Sequence, residues 1–142
     1  MTDSAEPPAR CGVVAVIPRG GQLLVIRRSQ HVVAPGAFCF PGGGIEAGET
    51  EPAALIRELN EELGAVVQPR ERLWHSITPW NVTLAWWLAA WNPSEPLMPN
   101  PAEVESVHWL SPAEMLELPE LLSSNREFLE RVLSGAIQLP AD

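Results

Sequence analysis

The sequence predicts a mixed α+β domain in which a β-sheet is sandwiched between helices, an α/β/α arrangement. Two observations lead to this prediction. Several short runs rich in Val, Ile and Leu lie on both sides of one strongly periodic stretch in mid-chain, and two more helical stretches follow the last run. Strands on both sides of a helix, with further helices at the end, are typical of a sheet covered on both faces.

The chain has 142 residues, enough for one domain with a substantial core. We assign this domain to residues 11–142. Residues 1–10 (MTDSAEPPAR) lack the basic and then apolar order of a signal peptide, so we expect a flexible tail there. Apolar runs stay well below the roughly 20 residues of a membrane span. We therefore expect a cytoplasmic monomer or homodimer with no membrane partner.

The first part of the chain contains three strand candidates. Residues 11–17 (CGVVAVI) and 22–28 (QLLVIRR) are rich in β-branched residues and Leu, and the PRGG between them has turn composition. This pattern predicts a β-hairpin. Residues 37–40 (AFCF) form a further short candidate, which Pro41 and three glycines bring to an end.

A helix is predicted from Thr50. Apolar residues recur there at helical spacing, as Leu55, Ile56, Leu59 and Leu63. Thr50 suits the N-cap, Pro52 is tolerated in the first turn, and Gly64 marks the end.

The second half of the chain predicts three more strands and two helices. We assign the strands to residues 72–77, 82–91 and 104–110. The middle one is apolar on both faces, which indicates a central, buried strand. A Pro-rich loop follows it at residues 92–103. The helices are expected at residues 112–118 and 124–133, the last one closed by Gly135.

The net charge of −9 argues against a nucleic acid polymer as partner. All nine cationic residues are Arg, and a phosphate ligand would need divalent cations to screen it from the protein. Cys11 and Cys39 lack the spacing of a metal or redox pair and have apolar neighbours, so we expect two buried free thiols.

Three acids, Glu58, Glu61 and Glu62, crowd the end of the predicted helix, where the helix dipole and their mutual repulsion disfavour them. Ala54, one turn earlier, leaves room beside them. One interpretation is a solvated helix face. The other is a site for Mg²⁺ or Mn²⁺, which prefer oxygen ligands and take further oxygens from phosphates.

The glycines Gly42, Gly43 and Gly44 permit a close approach of a ligand to the backbone, as well as a sharp turn into the helix. Arg57 beside the acids and Glu49 before the helix could pair and brace the intervening loop. The alternative is an ordinary surface ion pair.

These residues resemble a known motif. Gly43, five residues, Glu49, seven residues and then RELNEELGA from Arg57 to Ala65 resemble the Nudix box of the Nudix (MutT-like) hydrolases. Every fixed position of the motif is present, whereas Ala65 is a small version of the closing aliphatic residue. The flanking strands and terminal helices extend the resemblance over nearly the whole chain.

The resemblance implies hydrolysis of a phosphoanhydride bond in a nucleoside diphosphate-linked compound with Mg²⁺ or Mn²⁺. It implies metal ligands at Glu58, Glu61 and Glu62, a bracing pair of Arg57 and Glu49, and a phosphate-loop role for Gly43. The general base is Glu61 or Glu58, unless a loop outside the motif supplies it. A later acid often completes such sites: Glu105 is our first choice and Glu103 the second, against an exposed loop acid.

For the substrate base, Trp80 and Trp109 are our candidate platforms, because bases stack on aromatic faces. The chain contains no Tyr, which argues against relatives that hydrolyse dinucleoside polyphosphates, and Pro79 only approximates the position of a Pro in ADP-ribose hydrolases. A nucleoside triphosphate, oxidised ones included, is therefore the expected substrate. The alternatives are an ADP-ribose or nucleotide-sugar pyrophosphatase, and a non-catalytic nucleotide-binding module, which should have lost one of the acids.

Overall fold

The computed structural model describes residues 10–140. The predicted tail therefore lies, up to residue 9, outside the described residues. Eight strands and three helices follow one another within this part of the chain. They are β1 (Arg10–Val16), β2 (Pro18–Arg19), β3 (Gln22–Arg28), β4 (Phe38–Cys39), β5 (Gly42–Gly44), α1 (Glu51–Leu63), β6 (Val67–Ile77), β7 (Val82–Trp91), β8 (Val104–Leu110), α2 (Pro112–Leu116) and α3 (Ser123–Leu133).

The strands form two four-stranded sheets. The first has the order β5-β1-β7-β6, with β1 and β7 parallel and the other pairs antiparallel. In the second sheet, β3 pairs with β2, β4 and β8, each in the antiparallel sense. The predicted central position of residues 82–91 is confirmed, because β7 lies between β1 and β6.

Helices cover both faces of the strands, which confirms the predicted α/β/α layers. Alternate residues of β1 face opposite sides: Val13 joins the core under α1, whereas Val14 joins the core under α2 and α3. Leu55, Leu59 and Leu63 are fully buried in the α1 core. The second core contains aromatic rings, with Trp86 stacked on Phe128 at 4.6 Å. The sequence patterns of both helices and strands thus agree with one layered architecture.

The predicted hairpin between residues 11–17 and 22–28 is wrong. Strands β1 and β3 lie in different sheets, and the short β2 is the strand that pairs with β3 across the turn. The chain changes sheets at Ile17, whose carbonyl accepts a hydrogen bond from the Leu24 amide at 3.1 Å. Strand β1 pairs instead with β7 on one edge and with β5 on the other, which gives the backbone groups of this buried strand their hydrogen-bond partners.

Several smaller expectations are also corrected. Strand β6 begins at Val67, five residues before the predicted start, and α2 ends at Leu116 rather than Leu118. The glycines Gly42–Gly44 form strand β5 against β1. Cys39 is a buried free thiol as expected, but Cys11 is exposed. Among the described residues, no helix is long and apolar enough to cross a membrane.

Candidate functional site

Helix α1 carries three acids beside its leucine face, and one of them, Glu62, is itself buried. Its first turn is capped by Thr50, whose hydroxyl accepts a hydrogen bond from the Ala53 amide at 3.2 Å. Its end is fixed by Gly64, which adopts a left-handed conformation with φ of 60°. Since leucines occupy the buried face, Glu58, Glu61 and Glu62 are placed around the remainder of the helix near its last turn.

Two of these acids lie against the glycine strand β5. The Gly42 amide donates a hydrogen bond to Glu62 Oε1 at 3.0 Å. The carboxylate of Glu58 occupies the space beside Gly43, where a Cβ atom would overlap it. Glycine at this position therefore allows a carboxylate to approach the backbone, a reason that the sequence pattern alone does not reveal.

Arg57 holds the acids and the loop before α1 together. Its guanidinium donates to Glu49 at 2.7 and 2.9 Å and to the Gly44 carbonyl at 2.8 Å. Its Nη1 also donates to Glu58 Oε1 at 3.0 Å and to Glu61 Oε1 at 2.9 Å. The pairing of Arg57 with Glu49 thus occurs as expected, and the same side chain connects strand β5, the loop and α1.

The Pro-rich loop after β7 brings a fourth acid to this region. The Met98 and Asn100 amides donate to the carbonyls of Leu63 and Glu62, at 2.6 and 2.8 Å, and so satisfy the end of α1. Asn100 then positions Glu103, whose amide donates to the Asn100 carbonyl at 2.9 Å. Glu103 is close enough to affect the charge of both Glu58 and Glu62.

Glu105, our first choice for the late acid, lies elsewhere. Its carboxylate forms an ion pair with Arg27 at 3.7 Å, and it lines a surface depression beside Ser29 and His31. The difference between the two acids arises from the loop: its bonds to the end of α1 fix Glu103 there, whereas Glu105 already belongs to β8.

The carboxyl groups have different proton affinities. Burial raises the pKa of Glu62 to about 8, and repulsion from Glu58 and Glu103 adds to the effect while the Gly42 amide opposes it. Burial also raises the pKa of Glu58, against the influence of Arg57. Hydrogen bonds from Arg57, and then from the Glu46 amide, lower the pKa of Glu49 to about 2. The interior of the site thus favours neutral carboxyl groups unless a cation compensates their charge.

The donor set suits a hard divalent cation. Glu58, Glu61, Glu62 and Glu103 offer only carboxylate oxygens, the ligands that Mg²⁺ and Mn²⁺ prefer. Within residues 10–140, however, no three acid, His or Cys side chains are arranged as a finished metal site. The carboxylates fit a cation in chemistry, and Arg57 is a positive charge that lies among them, with its Nη1 bonded to Glu58 and Glu61.

An open pocket of about 290 Å³ lies beside the glycine strand. Besides Gly42–Gly44, its lining includes Arg28, Phe40, Ser124 and Asn125. Asn125 is 4% exposed, and its Oδ1 accepts a hydrogen bond from the Phe40 amide at 2.8 Å. The sequence reasoning missed Arg28 and Asn125, since they come from β3 and α3. Two signals in the sequence could have indicated them. Arg28 is a cationic residue at the end of an apolar strand, and Asn125 lies on the apolar face of an amphipathic helix.

The two candidate base platforms lie in different surroundings. Trp80 is 69% exposed and lines a groove next to this pocket. Trp109 lies on the α1 side, with its ring 5.8 Å from Trp91 and the Arg19 guanidinium 3.9 Å above it. Trp109 is not among the residues that line the pocket beside Gly42–Gly44, so the structure does not bring it together with the glycines.

A mixed sheet between helices, with carboxylates gathered against a glycine strand, is the architecture of a Nudix-type domain. Residues 7–132 match the family model of the NUDIX domain. The chain therefore belongs to the Nudix family.

Comparison with individual proteins extends this result. The chain is 26% identical over 132 residues to the NAD-capped RNA hydrolase NudC of Deinococcus radiodurans, an alignment covering 90% of this chain and 46% of NudC. It thus spans about half the length of that relative. It is 30% identical to the CTP pyrophosphohydrolase of Escherichia coli K12, an alignment that covers 92% of this chain and 96% of that relative. The structure of the MutT protein of Methanosarcina mazei Go1 superimposes with a TM-score of 0.78 at 23% identity, over 94% of this chain and 99% of that one. At this identity the similarity is one of fold.

Proposed function

We propose that the protein hydrolyses a phosphoanhydride bond in a nucleoside triphosphate, oxidised nucleotides included, and releases a nucleoside monophosphate and pyrophosphate. The observation that carries this proposal is the contact of Glu58 and Glu62 with the glycine strand. Glycines allow a phosphate chain to approach the backbone closely. Clustered carboxylates suit the divalent cations that such a phosphate chain also binds. The E. coli relative, whose name specifies CTP pyrophosphohydrolase, matches over nearly its whole length and supports the triphosphate class.

Mg²⁺ or Mn²⁺ would be held by Glu58, Glu61 and Glu62, and we replace Glu105 by Glu103 as the fourth acid. When bound, such an ion neutralises phosphate oxygens and lowers the pKa of an attacking water. Arg57 and Glu49 position the loop and the helix relative to each other, through the bonds between them and to Gly44. Glu58 and Glu61 are the two candidates for accepting the proton of the water.

Arg28 supplies positive charge to the lining of the pocket beside the glycines. It is close enough to Glu62 and Cys39 to affect the pKa of both, and its Nε donates to the Val33 carbonyl at 2.6 Å. A guanidinium in the lining of a pocket suits the oxygens of a phosphate, because it combines a permanent charge with several N–H donors. We therefore assign phosphate binding to Arg28 together with Gly42, Gly43 and Gly44.

The test is product analysis with a panel of substrates in the presence of Mg²⁺. The panel contains the common and oxidised nucleoside triphosphates, ADP-ribose, nucleotide sugars and NAD. We expect monophosphate and pyrophosphate from triphosphates, with heavy oxygen from labelled water in one product and no covalent enzyme intermediate. Release of inorganic phosphate from the terminal position would contradict the proposal. Inactivity on triphosphates beside strong activity on ADP-ribose would contradict the substrate class.

A non-catalytic binding module is the competing function. All of the acids of the motif are retained, from Glu49 through Glu62. In addition, the α1 carboxylates remain in contact with the glycine strand and with Arg57. Binding without turnover on the full panel, with both cations supplied, would favour the module.

A further inference from the structure

Arg10 and Arg70 are the arginines that the internal contacts of the protein leave unused. Among residues 10–140, neither takes part in an ion pair, a side-chain hydrogen bond or a cation–π contact. Both are exposed. An unpaired guanidinium keeps its permanent charge and its N–H donors for a ligand. The two differ in position, because Arg10 lines the pocket beside Gly42–Gly44 and Arg70 lies outside that lining.

The strand register places Arg10 and Arg28 at different ends of this pocket. In β1, Val14 pairs with Gly42, and Arg10 precedes Val14 by four residues, about 13 Å along the strand. Arg28 lies at the Gly42 end, since it affects the pKa of Glu62, whose carboxylate accepts the hydrogen bond of the Gly42 amide. The pocket therefore has one cation beside the glycines and a second at the start of β1.

The floor between the two cations is apolar. Because side chains alternate along β1, Arg10 and Gly12 share the face of Val14, which packs under α3. In the neighbouring strand, Val82 pairs with Arg10 and Leu84 with Gly12. Gly12 keeps this floor low, since an added Cβ would lie 3.1 Å from a methyl group of Leu84. Such a surface suits the rings of a nucleoside and not a phosphate chain, whose charged oxygens would lose their hydration there.

The lining of the pocket contains no acid. Among the described residues, those that form it include no Asp or Glu, although the chain has 18 of them and a net charge of −9. Arg10 thus faces the pocket without a carboxylate in the lining to neutralise it. A cation in this setting favours an anionic group in the ligand. Because Arg28 and the glycines already meet one anion, the pocket is complementary to a ligand with two separate anions.

The apolar floor decides where the second anion is attached. A nucleotide whose 5′-phosphates lie at Gly42–Gly44 extends its nucleoside across the floor towards Arg10. A longer polyphosphate chain would have to cross the apolar surface of Val82 and Leu84 to reach the same guanidinium. The second anion therefore belongs to the nucleoside, whose ribose offers the 2′ and 3′ oxygens for a phosphate.

We propose that Arg10 binds a phosphate on the 2′ or 3′ oxygen of the ribose, so that the pocket prefers nucleotides that carry a ribose phosphate in addition to their 5′-phosphates. The proposal rests on the proposed function in placing the 5′-phosphates at the glycines. It adds the substrate class, which is a nucleoside 5′-polyphosphate phosphorylated on its ribose. Arg10 acts in binding and takes no part in the cleavage of the phosphoanhydride bond.

Adenosine bisphosphates test this subsite without turnover, because they contain no phosphoanhydride bond. Dissociation constants of AMP, adenosine 3′,5′-bisphosphate and adenosine 2′,5′-bisphosphate are measured by calorimetry with the intact protein in Mg²⁺. We expect the wild type to bind at least one bisphosphate about 5- to 10-fold more tightly than AMP, an effect between those of an exposed ion pair and a buried charge-assisted hydrogen bond. The tighter bisphosphate identifies the ribose oxygen that carries the phosphate.

Substitution of Arg10 tests its role. Arg10→Gln should remove the preference for the bisphosphate and leave the affinity for AMP nearly unchanged. Arg10→Lys keeps the positive charge and should retain part of the preference. Arg70→Gln is the matched control, because it removes the same charge from an unpaired, exposed Arg outside the lining. The control should keep the wild-type ratio of dissociation constants.

The outcomes separate this proposal from the proposed function. Equal affinities of the wild type for AMP and both bisphosphates, or no measurable binding of any of them, overturn the subsite even where triphosphates are hydrolysed. A preference that survives in Arg10→Gln, or that Arg70→Gln also abolishes, overturns it as well. Loss of AMP binding in Arg10→Gln would assign Arg10 to the 5′-phosphate and thus contradict the proposal. A preference lost in Arg10→Gln alone supports the subsite, even where no substrate of the panel is cleaved.

Discussion

Glu62 is a carboxylate almost removed from water. It is 7% exposed, and its pKa of about 8 compares with an ordinary value of 4.5. The folded protein therefore binds a proton at this site between these two pH values, whereas the unfolded chain does not. Because the native state binds more protons than the unfolded state, stability falls as the pH rises through this interval.

We expect the free energy of unfolding of the metal-free protein to decrease from pH 5 to pH 8 by more in the wild type than in Glu62→Gln. Gln keeps an acceptor for the Gly42 amide but carries no charge to bury. Urea denaturation at several pH values in chelator measures the difference. Glu61→Gln is the control, because the Glu61 side chain is 49% exposed and its loss should leave the slope unchanged. Equal slopes in the wild type and Glu62→Gln would contradict the burial of charge.

Glu58 and Glu61 are expected to contribute to turnover. Glu58→Gln and Glu61→Gln should each lower kcat by at least about 100-fold, the scale of a lost proton acceptor or ligand. Their stability without metal should change little, because each also loses repulsion from its neighbours. Steady-state kinetics, with unfolding curves of the same samples, measures both quantities. Near wild-type activity in either variant would show that its role is misassigned.

Substitution of Arg57 should have a different effect from substitution of Glu58 or Glu61, because Arg57 positions the acids and is not itself a metal ligand. Arg57→Ala leaves Glu49 without its partner and frees the loop from Gly44. We expect weaker Mn²⁺ affinity together with lost turnover, measured by calorimetry and kinetics. Arg72→Ala removes another Arg–Glu pair outside the site and should change neither. Intact metal binding and activity in Arg57→Ala would return Arg57 to the role of a surface ion pair.

At the scale of elements, α1 is fixed to the sheet by its first residue. Glu51 accepts two hydrogen bonds from Arg72 of β6, at 3.0 and 2.7 Å, and one from the Trp87 indole of β7 at 2.8 Å. Arg72 is half exposed, and such ion pairs contribute about 0–1 kcal/mol. The indole N–H is partly buried, so the loss of its acceptor costs more free energy than the loss of the exposed ion pair.

Glu51→Ala should therefore destabilise the protein by about 1–3 kcal/mol, the cost of a buried donor left without a partner, whereas Arg72→Ala costs less than about 1 kcal/mol. Urea denaturation measures both. Glu51→Gln retains an acceptor for the indole and should resemble Arg72→Ala. Equal costs for Glu51→Ala and Arg72→Ala would show that the ion pair, not the indole bond, fixes the helix.

The elements also show what a sequence can predict. Strands β3, β7 and β8 have the predicted bounds, and α1 starts after its predicted cap, because period and capping are local properties. The start of β6 contains Pro69, a poor strand former, and the pairing of Gln68 and Pro69 with β7 extends the strand there. The same holds for the glycines of β5, which pair with β1.

The candidate site likewise contains residues that spacing along the chain predicts and residues that only the tertiary fold brings together. The three acids of α1, Arg57 and Glu49 follow from spacing along one helix and its preceding loop. The position of Glu103 near the α1 carboxylates does not, because it depends on hydrogen bonds of the Pro-rich loop to the end of α1. Arg28 and Asn125 reach the pocket from distant elements, and only the tertiary fold brings them together.

On the scale of the whole molecule, much of the positive charge is engaged internally. Arginines contact acids, carbonyl groups or aromatic rings at Arg19, Arg27, Arg28, Arg57, Arg72, Arg126 and Arg131. The chain as a whole carries a net charge of −9. An anionic substrate therefore approaches a repulsive surface unless cations intervene.

We expect activity to require added Mg²⁺ or Mn²⁺ and to disappear in chelator. Binding to the folded state alone should also stabilise it: at 100 times the dissociation constant the gain is about 2.7 kcal/mol, or roughly 5–10 °C in Tm. Thermal unfolding with and without Mn²⁺ measures this effect independently of turnover. The shift should be reduced in Glu62→Gln, whereas Glu130→Gln should keep it. Full turnover in chelator would refute the dependence.

The parallel pairing of β1 with β7 has a consequence for synthesis on the ribosome. Arg10 pairs with Val82, a residue translated 72 positions later. At a translation rate of roughly 5–20 residues per second, Val82 is therefore added roughly 4–14 s after Arg10. During that time Val16, fully buried in the finished protein, belongs to a nascent chain that still lacks Trp86, Met115 and Phe128 of its core. The first sheet is thus completed only after β7 has emerged from the exit tunnel, although β5 can already pair with β1.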